Sequence, residues 1–132
     1  EKEAIDYSAV MQALKRVEGY KTHFLIPVKG DKLLPVSVDM ILFFYIADGN
    51  VKAVMTDGKE YFFTQTLDEL ADSLDPALFF RINRQYLISR KAVQDIDLWF
   101  NGRLAVNLIV PTLERILVSK ARVPDFKTWF TS

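Results

Sequence analysis

The chain has 132 residues, 50% of them hydrophobic and 26% charged, with 17 basic side chains, 17 acidic ones and no cysteine. That length and balance suit one domain with its own core, and a net charge of zero argues against a protein held on anionic surfaces by bulk charge. The missing cysteines exclude disulfides and thiolate metal sites and fit a reducing cytoplasm, no apolar run approaches the roughly 20 residues of a membrane-spanning helix, and the charged first residues are unlike a signal peptide.

Residues 6–17, DYSAVMQALKRV, predict a helix. Asp6 can cap its start, Val10, Ala13, Leu14 and Val17 recur at helical spacing, and Gly19 can end it. The period then shortens to that of a strand. HFLIPV places Phe24, Ile26 and Val28 on one side, and after Lys29-Gly30-Asp31 the run LLPVSV aligns Leu34, Val36 and Val38. Pro27 and Pro35 point to strand edges or bulges, because proline cannot donate to a ladder. MILFFYIA, VKAVMT and KEYFFTQ follow, separated by Asp48-Gly49-Asn50 and Asp57-Gly58, whose glycines suit tight hairpin turns. Residues 22–65 are therefore expected to form one antiparallel meander.

Thr66 and Glu69 stand three apart as a capping box, and Leu67, Leu70, Ala71 and Leu74 give the ensuing helix one apolar face before Asp75-Pro76 stops it. FFRINRQYLISR spans 79–90. AVQDIDLWF and RLAVNLIV then make a hairpin about Asn101-Gly102, RILVS a further strand, and Pro124 opens a last helix packed by Phe126, Trp129 and Phe130. The expected fold is mostly β, with two or three short helices.

Charge is segregated along this layout. From Pro76 to Gln94 there is no acid, yet Arg81, Arg84, Arg90 and Lys91 all fall there. Arg115, Lys120 and Arg122 form a second basic group, and acids gather in LDELADSLD. No enzyme signature accompanies this pattern. His23 has no companion at motif spacing and reads as structural or exposed. Asp95 and Asp97 share a strand face, either as a cation site or as a solvated surface. The scattered glycines make no phosphate-cradling loop, and Ser73, Ser89 and Ser119 lie in no nucleophile elbow.

Nucleic-acid chemistry fits better. Arginine matches phosphate and guanine with two parallel donors, and asparagine or glutamine can pair with adenine. Asn83, Arg84 and Gln85 set three such groups in a row, and a tight loop would turn them outward together. Phe80 and Ile82 on one face, Phe79 and Arg81 on the other, with Tyr86, Leu87 and Ile88 beyond, would anchor that loop. The alternative is an exposed basic turn paired with Asp68, Glu69 or Asp72. Lys120 and Arg122 precede the last helix, where a phosphate or plain solvent would suit them. Asn50 and Lys52 are weaker candidates, since Asp48 repels phosphate. Arg81 and Arg90 are either phosphate contacts or structural.

The succession ILFFYIADGNVKAVMTDGKEYFF, TLDELADSLDPALFFRINRQYLISRKAVQDI, GRLAVNLIV and ILVSKARVPDFK resembles the LytTR DNA-binding domain, the output half of many bacterial two-component response regulators. The resemblance covers about residues 22–130, and FFRINRQYLIS looks like the family's F-x-R-x-H-R-S-x-(I/V)-N signature. It implies stacked short antiparallel sheets and loops, not a helix, entering successive major grooves. Carried over residue by residue, it assigns DNA contacts to Asn83, Arg84 and Gln85, to Lys120 and Arg122, and to the hairpin bearing Asn50 and Lys52. Asn83, Gln85 and Ser89 stand where histidine, serine and asparagine are common, so a target sequence does not transfer.

By the same resemblance, residues 1–21 are expected to be a helical linker from a receiver domain, and residues 22–132 the DNA-binding domain. The implied function is sequence-specific binding of duplex DNA, on a repeated site and with pairing of two copies, under a sensor histidine kinase, in the cytoplasm, without catalysis or cofactor. The rival is a protein-interaction module whose basic loop clasps an acidic partner. Competition by duplex DNA separates the two.

Overall fold

The ribbon that opens the fold comprises β1 (His23–Val28) and β2 (Lys32–Ser37) of a computed structural model that describes residues 19–132. The helix expected over 6–17 lies outside the described residues. Val28 pairs with Lys32 across a turn in which Gly30 and Asp31 take φ of 80° and 58°. Phe24, Ile26 and Val36 point inward, whereas Leu25, Pro27, Leu33 and Pro35 face out. Each strand of a two-stranded ribbon keeps a free edge, which is where a proline's missing donor does no harm.

The expected meander over 22–65 is broken after this ribbon: β2 does not pair with β3. The hydroxyl of Ser37 accepts from the Asp39 amide at 3.2 Å and starts a 3₁₀ turn over Val38–Met40, so local side-chain capping replaces the ladder. The chain then enters a second sheet, of order β5-β4-β3-β7-β6, built from β3 (Ile41–Ala47), β4 (Asn50–Met55), β5 (Glu60–Phe63), β6 (Phe79–Arg81) and β7 (Tyr86–Ser89). Asp48 and Gly49, with φ of 53° and 76°, form the β3–β4 turn, and Asn50 is already paired with Ala47. The register slips between Ile41 and Phe43, so Leu42 and Phe43 enter the same core. Helix α1 (Leu67–Ser73) connects β5 to β6, and its capping box is formed: Thr66 Oγ1 accepts from the Glu69 amide at 3.1 Å, and Glu69 Oε1 accepts from the Thr66 amide at 2.9 Å.

The third sheet has the order β10-β9-β8, from β8 (Val93–Leu98), β9 (Leu104–Leu108) and β10 (Ile116–Val118), and leads into α2 (Val123–Thr131). The five-stranded sheet is buried on both faces. One face packs Ile41, Phe44, Phe79 and Leu87 against the ribbon and α1; the other packs Phe43, Tyr45, Ile82 and Ile88 against the third sheet and α2. Burial on both sides explains why ILFFYI runs apolar without alternating. It also divides FFRI: Phe79 enters the first core, and half-buried Phe80 joins Ile82 in the second. Arg90 fastens α2 through Nη2, which donates to the carbonyls of Trp129 at 3.1 Å and Ser132 at 2.9 Å, a cation at the negative end of a helix.

Candidate nucleic-acid interface

The segment joining β6 to β7 is a short loop with an unusually full set of hydrogen bonds. The Ile82 amide donates to the Tyr86 carbonyl at 3.0 Å and closes its base. Asn83 Oδ1 accepts from the amides of Gln85 at 2.9 Å and Tyr86 at 3.0 Å, while its Nδ2 donates to the Leu117 carbonyl at 3.3 Å. Arg81 grips the outer side: Nε donates to the Asn83 carbonyl and Nη2 to the Arg84 carbonyl, both at 2.8 Å, and Nη1 pairs with Asp68. The Ile46 amide donates to the Gln85 carbonyl at 3.0 Å and ties the loop to the end of β3.

These bonds sort the loop residues by role. The Asn83 amide is half-buried and engaged by the protein, and the Arg81 charge is matched by Asp68. Arg84 and Gln85 alone present exposed side chains, and Arg84 has no carboxylate within ion-pairing distance among the described residues. The alternative of a basic turn neutralised by the acids of α1 therefore describes Arg81 and not Arg84. Arg90, committed to the end of α2, is also structural.

Arg122 is brought beside this loop, and Lys120 starts the 3₁₀ turn that carries it. Asn83 bonds to Leu117 in β10, and Ser119 then begins a 3₁₀ turn over Lys120–Arg122 that leads into α2. The Arg122 guanidinium lies 4.8 Å from the Phe80 ring centroid, and Phe80 in turn stacks on Trp129 at 5.1 Å. Lys120 runs its stem across the β8–β9 turn at Gly102, where an added Cβ would come within 3.2 Å of Lys120 Cδ. The φ of 73° is what calls for glycine at position 102, since the exposed lysine stem can yield the few tenths of an ångström a Cβ would need.

Arg84, Arg103 and Arg122, with Asn83 and Ser119, line one open cleft of about 560 Å³. Arg103 is the functional candidate that sequence reasoning missed. Its Nε donates to the Phe100 carbonyl at 3.1 Å, which orients the guanidinium from the first residue after the Asn101-Gly102 turn. The signal was its place directly behind the Asn101-Gly102 pair. Among the described residues, Arg103, Lys120 and Arg122 also lack an ion-pairing carboxylate. Asp68 shares the cleft but is held by Arg81.

The third region is looser. Exposed Asn50 donates from Nδ2 to the Asp48 carbonyl at 3.3 Å, and Lys52 Nζ lies 5.0 Å from the ring centroid of Phe62 across the β4–β5 pair. The Ile46–Gln85 bond places the root of this hairpin beside the loop. Beneath the loop, Tyr86 stacks on Tyr45 with centroids 6.0 Å apart. Burial pushes the Tyr86 hydroxyl up, the Glu114 charge adds to this, and the Glu114 backbone opposes it.

His23, Asp95 and Asp97 are all exposed. His23 Nδ1 lies 3.1 Å from Thr22 Oγ1. Asn107 Nδ2 donates to Asp95 at 2.7 Å and Asp97 at 2.9 Å, and no group of three or more metal-ligating side chains occurs among the described residues. No helix among them is long and apolar enough to cross a membrane.

Residues 31–131 match the sequence profile of the LytTr DNA-binding domain. The chain is 26% identical over 102 residues to the Sensory transduction protein LytT of Enterococcus faecalis, covering 77% of this chain and 41% of that protein. It is 30% identical over 77 residues to the Transcriptional regulatory protein LytR of Staphylococcus aureus, covering 58% of this chain and 30% of that one. The chain thus spans well under half the length of either relative. Its fold is similar to that of a LytTr DNA-binding domain from Bacillus cereus, with a TM-score of 0.70 at 15% identity, over 85% of this chain and 99% of that one. With the family profile spanning most of its length, this chain belongs to the LytTr DNA-binding domain family.

Proposed function

We propose that the domain reads duplex DNA with loops rather than a recognition helix, as the output part of a two-component transcriptional response regulator. The observation that carries this reading is the pairing of a stiff loop with exposed, unneutralised polar ends: Arg84 and Gln85 project from a backbone that Asn83 and Arg81 hold in place. A preorganised loop avoids the ordering cost that weakens a flexible reader. Among the described residues, α1 buries Leu67 and Leu70 in one core, and α2 buries Phe126 and Trp129 in the other.

Arg84 is the base-reading residue, suited to guanine O6 and N7, with Gln85 as its neighbour in the groove. Arg103, Lys120 and Arg122 neutralise phosphates on one flank, and Asn50 and Lys52 reach the backbone on the other. Asn83 acts by positioning the other two. A formal net charge of zero leaves little nonspecific attraction, so specific occupancy is served by two copies on a repeated site. A receiver domain preceding this one, phosphorylated through a sensor histidine kinase in the cytoplasm, would control that pairing. The domain itself needs no cofactor and performs no catalysis.

Selection of bound sequences from a random duplex pool tests the reading. A recovered motif bound with a log–log salt slope of about −3 to −4 is expected from Arg103, Lys120, Arg122 and Lys52 as phosphate-neutralising groups. Recovery of no motif would reject it.

A further inference from the structure

A second cleft, of about 330 Å³, shares no lining residue with the interface cleft. Its floor is aromatic. Tyr45 and Tyr86 stack with rings 13° from parallel, and Phe43 lies 5.6 Å from Tyr45 and 6.0 Å from Tyr86. Val110, Pro111 and Leu113, from the connection between β9 and β10, supply the apolar opposite wall. Glu60 is the single charged side chain on the lining, and its Oε1 accepts from the Tyr45 hydroxyl at 2.9 Å. That bond employs one of the two carboxylate oxygens, and Glu60 is exposed to an incoming ligand. Glu114 adds a second negative charge near the Tyr86 hydroxyl.

The chemistry of this lining is selective. The Glu60 carboxylate attracts positive charge, and the rings of Phe43, Tyr45 and Tyr86, packed on one another at 2%, 7% and 2% exposure, contribute apolar lining rather than open faces. Apolar walls reward a hydrocarbon body, and the volume is at the lower end of small-molecule sites. An inorganic cation finds too few oxygen ligands here, and an anion would meet Glu60 directly. We propose that this cleft binds a small organic ammonium carrying an apolar or aromatic body. The site goes beyond DNA recognition, yet it adjoins it. Tyr86 is the next residue after Gln85, and its amide is bonded to Asn83.

Backbone amide shifts, followed by NMR during titration with phenethylammonium, test the assignment. The controls share the phenethyl body: 2-phenylethanol, which is isosteric and neutral, and 3-phenylpropionate, which is anionic. Saturable shifts at Tyr45, Glu60, Tyr86, Thr112 and Leu113 are expected, with a dissociation constant in the millimolar range or tighter. Glu60→Gln and the neutral probe should each weaken binding by about tenfold, and the anion should not bind. The proposal is overturned if the anion binds as well as the ammonium, or if the shifts fall outside the cleft. It is equally overturned if phenethylammonium does not saturate, or if Glu60→Gln leaves its affinity unchanged.

Discussion

Replacing Asn83 with alanine separates a residue that builds the loop from one that reads DNA. The side chain makes three hydrogen bonds, two accepted from the Gln85 and Tyr86 amides and one donated to Leu117. They are unequal. The Gln85 amide can recover water after truncation, and the 3.3 Å bond to Leu117 is long, so the Tyr86 amide carries the main loss. At about 0.5–1.5 kcal/mol for each bond, the sum is roughly 2 kcal/mol. For a domain of this size that lowers Tm by roughly 6–10 °C. Duplex affinity should also drop, by about tenfold, because a loosened loop must be ordered on binding at about 1–2 kcal/mol for each residue fixed. Thermal melts and fluorescence anisotropy on one selected duplex measure both quantities. Gln85→Ala is the control, expected to lower affinity and leave Tm in place. An Asn83→Ala domain that melts like the unaltered one yet loses DNA binding would refute the positioning role and make Asn83 a reader.

Two other perturbations address the support of the interface and the core. Phe80→Ala removes a half-buried ring that stacks on Trp129 and carries the Arg122 guanidinium, so it should cost about 2–3 kcal/mol in urea denaturation and also weaken DNA binding. Full stability in that variant would show that Phe80 does not roof the second core. Burial, then the Glu60 hydrogen bond and charge, push the Tyr45 hydroxyl up to about 12. The folded chain therefore keeps a proton that the unfolded chain releases near its ordinary value of about 10. The contribution is fully present below about pH 10 and is lost as pH rises through the folded value near 12. Tyr45→Phe should flatten the decline of the urea midpoint between about pH 10 and 12, with a remainder due to Tyr86, and an identical decline in both proteins would exclude Tyr45 as its source.

Local chemistry makes much of this fold readable from its sequence. The Asp48-Gly49 and Asn101-Gly102 turns, the Thr66–Glu69 capping box and the polar tip between FFRI and YLIS each declare themselves within a few residues. Sheet membership does not. β2 is followed by a strand-like run as any meander strand is, and only the Ser37 cap and the pairing of β3 with β7 send the chain into another layer. The division of labour in Asn83-Arg84-Gln85 is half hidden, because Asn83 bonds locally to the Gln85 and Tyr86 amides but also to a carbonyl 34 residues away. Arg103 escapes notice for a related reason: it follows the β8–β9 turn, and only the folded third sheet brings it to the cleft that Arg84 lines. Alternation rightly sets Phe80 with Ile82, but its half-exposure arises from lying at the rim under Arg122.

The affinity of Arg84→Ala for the duplex selected by the unaltered chain, measured beside its Tm, tests loop-borne DNA reading most directly. Arg84 is exposed and makes no side-chain hydrogen bond or ion pair among the described residues, so Tm should stay within about 2 °C of the unaltered protein. Discrimination between the selected duplex and a scrambled one should fall by about 1–3 kcal/mol, roughly a five- to 150-fold loss. Unchanged discrimination in a stably folded Arg84→Ala domain would contradict a reading loop built around this arginine.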